Sequence, residues 1–189
     1  MLWNRQDLSE LRVFSRDPGY VTRALPNGDR IQIERWMLRF PQATPDRLID
    51  SGLSKTYTVK PLLAPYGEGL FGELAILRCL ELNGWSGAWA DTFHGRELFW
   101  RDLPFPGNRV DLSSAQHALD LYRRIVAAKG TAAGFFDVFA WKDSDYLFIE
   151  YKGEGDKPNA NETLWIGAAL SEGIDAGQLL FAVGQRVGS

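Results

Sequence analysis

Gly134-Phe135-Phe136-Asp137-Val138-Phe139-Ala140-Trp141-Lys142-Asp143-Ser144-Asp145-Tyr146-Leu147-Phe148-Ile149-Glu150-Tyr151-Lys152 is the stretch on which the fold turns. Phe135–Trp141 and Tyr146–Tyr151 are apolar, aromatic-rich runs, and the polar Lys142-Asp143-Ser144-Asp145 between them is a turn, so the stretch predicts a β-hairpin. Centring the turn on Asp143-Ser144 places Asp137 opposite Glu150 on one face, with Cβ atoms roughly 5 Å apart. Lys152 lies two residues beyond Glu150 and shares that face. A turn with an odd number of residues would shift the register and separate the two acids. Two carboxylates held this close repel, and burial strengthens the repulsion. Lys152 neutralises one of them; a divalent cation satisfies both, and hard oxygen ligands suit Mg²⁺ or Mn²⁺. The alternative needs no metal: Asp137 caps a strand end, and Glu150 pairs with Lys152 or an arginine.

Outward from the hairpin, the periodicity alternates between helix and strand. Leu70, Phe71, Leu74, Leu77 and Leu80 recur at helical spacing from Gly69, and Asn83-Gly84 supplies a stop. Trp85–Asp91 and Arg96–Arg101 read as strands, the second followed by the Pro104–Pro106 loop. Ser113-Ser114-Ala115-Gln116 resembles a capping box. Ala115, Ala118, Leu119, Tyr122, Ile125 and Val126 then form an apolar stripe that ends at Gly130. Past the hairpin, Ala160–Leu170 reads as a helix closed by Gly173, and Leu179–Val183 as a buried strand. This order predicts an α/β core with a mixed sheet over residues 69–189. Residues 1–68 form an N-terminal appendage. It comprises a short helix over Trp3–Phe14, a β-hairpin about Pro26-Asn27-Gly28-Asp29, whose Asn-Gly tolerates positive φ, and a proline-rich connector over 41–67.

Composition narrows the classes. With 189 residues, 45% hydrophobic and 24% charged, the chain buries a core without staples. One cysteine, Cys79, excludes an internal disulfide and cysteine-built zinc sites, and two histidines, His94 and His117, argue against a histidine-rich metal site. Cys79 and the two histidines read as ordinary core or surface residues. No stretch approaches eighteen apolar residues, and Met1–Glu10 lacks a signal-peptide core, so the chain reads as intracellular and cytoplasmic. The net charge is −3, and the acidic excess lies beyond residue 130, where the hairpin sits. Trp89, Trp100, Trp141 and Trp165 read as core; Trp3 and Trp36 are candidates for a partner surface or base stacking.

Three segments together carry a family resemblance. These are Gly134-Phe135-Phe136-Asp137-Val138-Phe139-Ala140-Trp141, then Phe148-Ile149-Glu150-Tyr151-Lys152-Gly153-Glu154-Gly155-Asp156-Lys157, then Asn161-Glu162-Thr163-Leu164-Trp165-Ile166. They resemble the PD-(D/E)XK nuclease superfamily, whose signature is an Asp followed one strand later by Asp/Glu-x-Lys, and most closely its VRR-NUC group (virus-type replication-repair nucleases). The resemblance covers about a third of the chain by motif. The family's proline before the aspartate is Phe136 here, another proline is Glu154, and the family's helix glutamine falls at Glu162.

The resemblance implies a restriction-endonuclease-like core, α-β-β-β-α-β, and metal-dependent hydrolysis of phosphodiester bonds in DNA or structured nucleic acid, in repair, recombination or phage and mobile-element biology. It implies Asp137 and Glu150 as ligands of Mg²⁺ or Mn²⁺, with the Tyr151 carbonyl and, directly or through water, Glu73 on the first helix. Glu68 is a less suitable substitute for Glu73, which could equally be a favourable first-turn carboxylate. Lys152 would orient the attacking water and stabilise charge on the phosphoryl oxygens. Glu162 would either hinder phosphate approach or act as a further ligand. Basic candidates for phosphate contact are Arg123, Arg124, Lys129, Lys142 and Lys157, with Arg96, Arg101 and Arg109 behind them. The expected partner is nucleic acid, DNA before RNA, and no membrane; a homodimer or a protein complex stays open. The competing class is a nuclease-fold module that binds nucleic acid or protein without turnover.

Overall fold

A computed structural model describes residues 19–41, 62–63, 70–92, 95–153, 155–157 and 159–187. The expected helix over Trp3–Phe14, Trp3 itself, most of the 41–67 connector, Glu68, His94 and Glu154 lie outside them.

The chain is α/β. Nine strands are described: β1 (Gly19–Ala24), β2 (Arg30–Pro41), β3 (Leu62–Leu63), β4 (Leu70–Phe71), β5 (Ser86–Asp91), β6 (Leu98–Trp100), β7 (Val138–Lys142), β8 (Asp145–Lys152) and β9 (Leu179–Val187). The α-helices among the described residues are α1 (Gly72–Leu82), α2 (Gln116–Lys129) and α3 (Ala160–Ser171). Seven strands form one mixed sheet in the order β1-β2-β9-β8-β7-β5-β6, and β3 pairs with β4 separately. β9 is parallel to both β2 and β8; the other pairings in the large sheet are antiparallel. The β8–α3–β9 connection is therefore a helical crossover between parallel neighbours.

Side-chain alternation along the strands builds a core on each face of the sheet. Val138, Ala140, Leu147, Ile149, Leu180 and Ala182 pack against α1. Phe139, Trp141, Phe148, Leu179 and Phe181 pack against α2 and α3. Among the described residues, no helix is long and apolar enough to cross a membrane.

The hairpin forms with the expected register. Val138 pairs with Ile149, Phe139 with Phe148, and Lys142 with Asp145. Asp143 takes φ 54°, the left-handed conformation that an acidic residue accommodates more readily than most. The first strand is shorter than the apolar run suggests. The Phe135 amide donates to Thr92 Oγ1 at 3.0 Å instead of joining a ladder, and Phe135 packs edge-on against Trp165, Tyr122 and Phe99.

The N-terminal hairpin also forms, with Gly28 at φ 89°, and lengthens the main sheet through the β2–β9 pairing, which starts at Glu34 opposite Leu180. This pairing buries Trp36 at 4% exposure, so Trp36 belongs to the core and not to a partner surface. The capping box expected at Ser113–Gln116 does not form. Asp111 accepts the Ser113 amide at 2.9 Å in a short 3₁₀ turn, and α2 starts after Ala115 without a side-chain cap. Trp89, Trp100, Trp141, Trp165 and Cys79 are buried as expected.

Two glycines shape the end of β8. A Cβ at Gly72 or at Gly184 would overlap the Tyr151 side chain, so the ring lies between the start of α1 and β9. Gly72→Ala is expected to lower stability by ~1–3 kcal/mol through this overlap, read as a drop in thermal midpoint. An unchanged midpoint would show that the ring moves aside freely.

Candidate active site at the open end of the hairpin

The hairpin ladder ends at Val138–Ile149; Asp137 and Glu150 are the next residues on each strand. Asp137 stands just before β7, where its carbonyl accepts the Ala90 amide at 2.8 Å. Its Oδ2 accepts the Tyr151 amide, also at 2.8 Å. The side chain thus serves where a backbone carbonyl would have continued the ladder, and the Asp137 carboxylate is fixed beside the C-terminal end of β8.

Glu150 and Lys152 follow Phe148 at the two-residue spacing of a strand and so point to the α2/α3 side. In register on β9 they meet Phe181 and Val183. Lys152 Nζ donates to Glu150 Oε1 at 2.9 Å and to Glu162 Oε1. All three side chains are shielded, with Glu150 and Lys152 at 15% exposure and Glu162 at 5%. Glu162 is held by the cap of α3: its amide donates to Asn159 Oδ1 at 3.0 Å, and its Oε1 accepts the Asn159 amide at 3.3 Å. Its other oxygen, Oε2, is buried without a hydrogen-bond partner and faces Arg23 Nη2 of β1 at 3.8 Å.

Glu73, in the first turn of α1, is buried at 7% exposure. The packing of Tyr151 on Gly72 brings this turn to the same end of the sheet, and the Glu73 charge acts on Glu150. Burial pushes the Glu150 carboxyl up to about 7; Glu162 and Glu73 push the same way, while Lys152 opposes them. Burial acts against the Lys152 charge, but the Glu150 and Glu162 carboxylates outweigh it and raise the ammonium's pKa.

Comparison with protein-family models, with curated proteins and with solved structures finds no match for this chain.

The donors present are carboxylate oxygens, the kind that hard cations take. Among the described residues no three acidic, imidazole or thiolate side chains converge as a ligand cluster. A Mg²⁺ site needs no such cluster, because this ion keeps several waters and is held by one or two carboxylates together with substrate phosphates. Asp137 and Glu150, adjacent at the strand ends, fit that mode. The burial that lifts Glu150, with the Glu162 and Glu73 charges adding to it, and the buried Glu162 oxygen that lacks a hydrogen bond are features that positive charge at this end of the sheet relieves.

The basic candidates scatter. Lys142 lies at the turn end of β7, roughly 17 Å along the strand from Asp137 at the usual rise, and its Nζ donates to the Asn83 carbonyl at 3.1 Å. Arg124 pairs with Glu172 at 3.2 Å and lines a cleft with Ser144 and Tyr146, also at the turn end. Arg123 is exposed and lines a different cleft, with Glu97 and Arg109. Neither of these two clefts is lined by Asp137 or Glu150. Lys129 turns inward, over the Trp165 ring at 4.7 Å and onto the Ala133 carbonyl at 3.0 Å. Lys157 is exposed on the loop between β8 and α3, the candidate nearest in the chain to Lys152. Arg96 pairs with Asp91 and Arg101 with Glu81. His117 is exposed, against the Tyr146 ring.

Two residues at this site carry no weight in the motif. Asn159 was legible, since Asn159-x-x-Glu162 has capping-box spacing. Arg23 was not, because only the parallel joining of the N-terminal hairpin to β9 brings β1 near α3.

Proposed function

We propose that the protein is a Mg²⁺- or Mn²⁺-dependent nuclease of restriction-endonuclease-like fold that hydrolyses phosphodiester bonds in DNA or structured nucleic acid. One observation carries this reading: at the end of the hairpin ladder the Asp137 carboxylate accepts the amide of Tyr151, the residue between Glu150 and Lys152, which are themselves hydrogen-bonded. The signature acids and lysine of the motif thus gather at one end of the sheet. The element order supports it, with α1, the β5–β7–β8 antiparallel strands, and α3 crossing to β9 parallel to β8.

In this reading Asp137 and Glu150 hold the cation, with the Tyr151 carbonyl and Glu73 assisting. When bound, a dication supplies Lewis-acid polarisation of the scissile phosphate and a more acidic water. The chain's own part is positioning. Asp137 is fixed by the Tyr151 amide and Glu150 by Lys152, so the acids need little reorganisation. Lys152 brings an ammonium to the place where charge develops on the phosphoryl oxygens, in a shielded setting where the interaction is stronger than in water. Lys157, on the adjoining loop, is the candidate for a phosphate contact away from the reacting centre. The acidic net charge makes binding weak and strongly dependent on salt.

A second reading, a nuclease-fold module that binds without turnover, is favoured by the double engagement of Lys152 with Glu150 and Glu162. Calorimetry with MgCl₂ and MnCl₂, paired with cleavage assays on single-stranded, duplex and branched DNA, separates the two. The nuclease reading expects ion binding and ion-dependent cleavage. DNA binding without cleavage selects the module, and absence of ion binding with or without DNA rejects the nuclease.

A further inference from the structure

Lys152 is the one member of the motif with a long flexible stem, and its ammonium serves the reaction only if held in one place. Glu150 supplies one hold, but in the proposed mechanism Glu150 is also committed to the cation. The second hold comes from outside the Asp137 and Glu150-x-Lys152 signature, from the α3 position where the resembled family has a glutamine. Glu162 sits in the first turn of α3, its backbone amide and its Oε1 both tied to Asn159. It thus presents a carboxylate from a rigid helix start, and Lys152 Nζ donates to that same Oε1.

Such a residue is costly. Glu162 is 5% exposed and lies near another shielded carboxylate, so the two repel. The opposing charge comes from β1. Arg23 is 14% exposed, its Nη2 stands 3.8 Å from the Glu162 oxygen that lacks a hydrogen bond, and its guanidinium lies 4.6 Å over the Phe181 ring. Phe181 is the register partner of Glu150 on β9. Two acids and two bases therefore alternate from the N-terminal hairpin to the centre of the site: Arg23, Glu162, Lys152, Glu150.

We propose that Glu162 and Arg23 are positioning residues for Lys152, with Glu162 fixing the ammonium and Arg23 supplying the opposing charge that Glu162 needs. This makes the N-terminal hairpin a working part of the site. The effect on turnover rests on the nuclease reading; the hold on Lys152 does not.

The test uses the full chain labelled with nitrogen-15 lysine, the Lys152 ammonium resonance being assigned by its loss in Lys152→Arg. A shielded, doubly hydrogen-bonded ammonium exchanges slowly and is visible at neutral pH in the unaltered protein. It is expected to broaden away in Glu162→Ala, to weaken in Arg23→Met, and to return in Arg23→Lys. On a cleavable DNA with Mn²⁺, kcat is expected to fall about 30-fold in Glu162→Ala and about 10-fold in Arg23→Met, with KM within about twofold; Arg23→Lys recovers most of the loss. If Glu162→Ala does not fold, Glu162→Gln keeps the acceptor oxygen for Asn159 and Lys152, removes the charge, and is expected to lower kcat about 10-fold at unchanged KM. An unchanged Lys152 resonance in Glu162→Ala and Arg23→Met overturns the proposal, as does kcat within about threefold of the unaltered protein in the Glu162 and Arg23→Met variants. If the unaltered protein cleaves nothing, the nuclease reading falls, and the resonance alone decides whether Glu162 holds Lys152.

Discussion

Asp137→Asn, Glu150→Ala and Lys152→Ala are each expected to lower Mg²⁺- or Mn²⁺-dependent cleavage by about 10³-fold or more, and any pair of them little further, because members of one cooperating site fail together. The substitutions are not equivalent for the fold. Asp137 Oδ2 accepts the Tyr151 amide. Asparagine preserves that acceptor, whereas Asp137→Ala leaves a half-buried donor unmet, at ~1–3 kcal/mol. Asp137→Asn therefore isolates the loss of charge, and Asp137→Ala adds a fall in thermal midpoint. Lys152→Ala strips the ammonium from between two shielded carboxylates, a change of the kind that costs ~3–5 kcal/mol when one partner of a buried ion pair is removed. Its activity is to be compared at a temperature where circular dichroism shows the variant folded. Cleavage retained by all three folded variants would sink the assignment; loss in one alone would point to contamination or to a different centre.

How much of this could be seen in the sequence depends on the range of the interaction that decides each feature. The hairpin register was legible because a two-residue turn and the alternation of Phe139, Trp141, Tyr146 and Phe148 both act locally and agree. The last step at Asp137 was not. The expected strand runs through Phe135 and Phe136, but Thr92 takes the Phe135 amide and the Asp137 side chain takes the Tyr151 amide, so the ladder stops one residue before the acid while the acid keeps its place. Trp36 went astray for a long-range reason. Read with its own hairpin it is an aromatic on an appendage, and only pairing with β9 buries it. The basic candidates were the least legible. An exposed cation near a strand end has no local preference for either end of the sheet, and Lys142 is committed to the Asn83 carbonyl, far along the strand from Asp137. The acids were easier to read because a charge within an apolar strand demands an explanation, whereas a charge on a helix surface does not.

Glu150→Gln is expected to stabilise the protein at pH 8 and to abolish cleavage, opposite signs that a structural ion pair would not give. The Glu150 carboxyl stands near 7 in the folded chain against an ordinary value of 4.5, raised first by burial and then by Glu162 and Glu73. A carboxyl raised on folding binds its proton more tightly in the folded state. Its contribution is therefore fully present below about pH 4.5 and is lost as pH rises through about 7. The loss is about 3–4 kcal/mol at most, taking each pK unit as about 1.4 kcal/mol. Glutamine resembles the protonated acid, so Glu150→Gln and the unaltered protein should have similar stability near pH 4.5 and diverge through neutrality, the variant being more stable by ~1–3 kcal/mol at pH 8. Urea unfolding across pH 4.5–8.5 measures the divergence. Added Mn²⁺ should close it, because an ion that binds the ionised carboxyl displaces its proton and stabilises the folded state by mass action. In Glu150→Gln the same addition should change little. A divergence that Mn²⁺ leaves intact would mean that Glu150 is a strained acid without a metal's role. Parallel pH curves for the two proteins would mean that Lys152 already neutralises Glu150, and that its ion pair is structural.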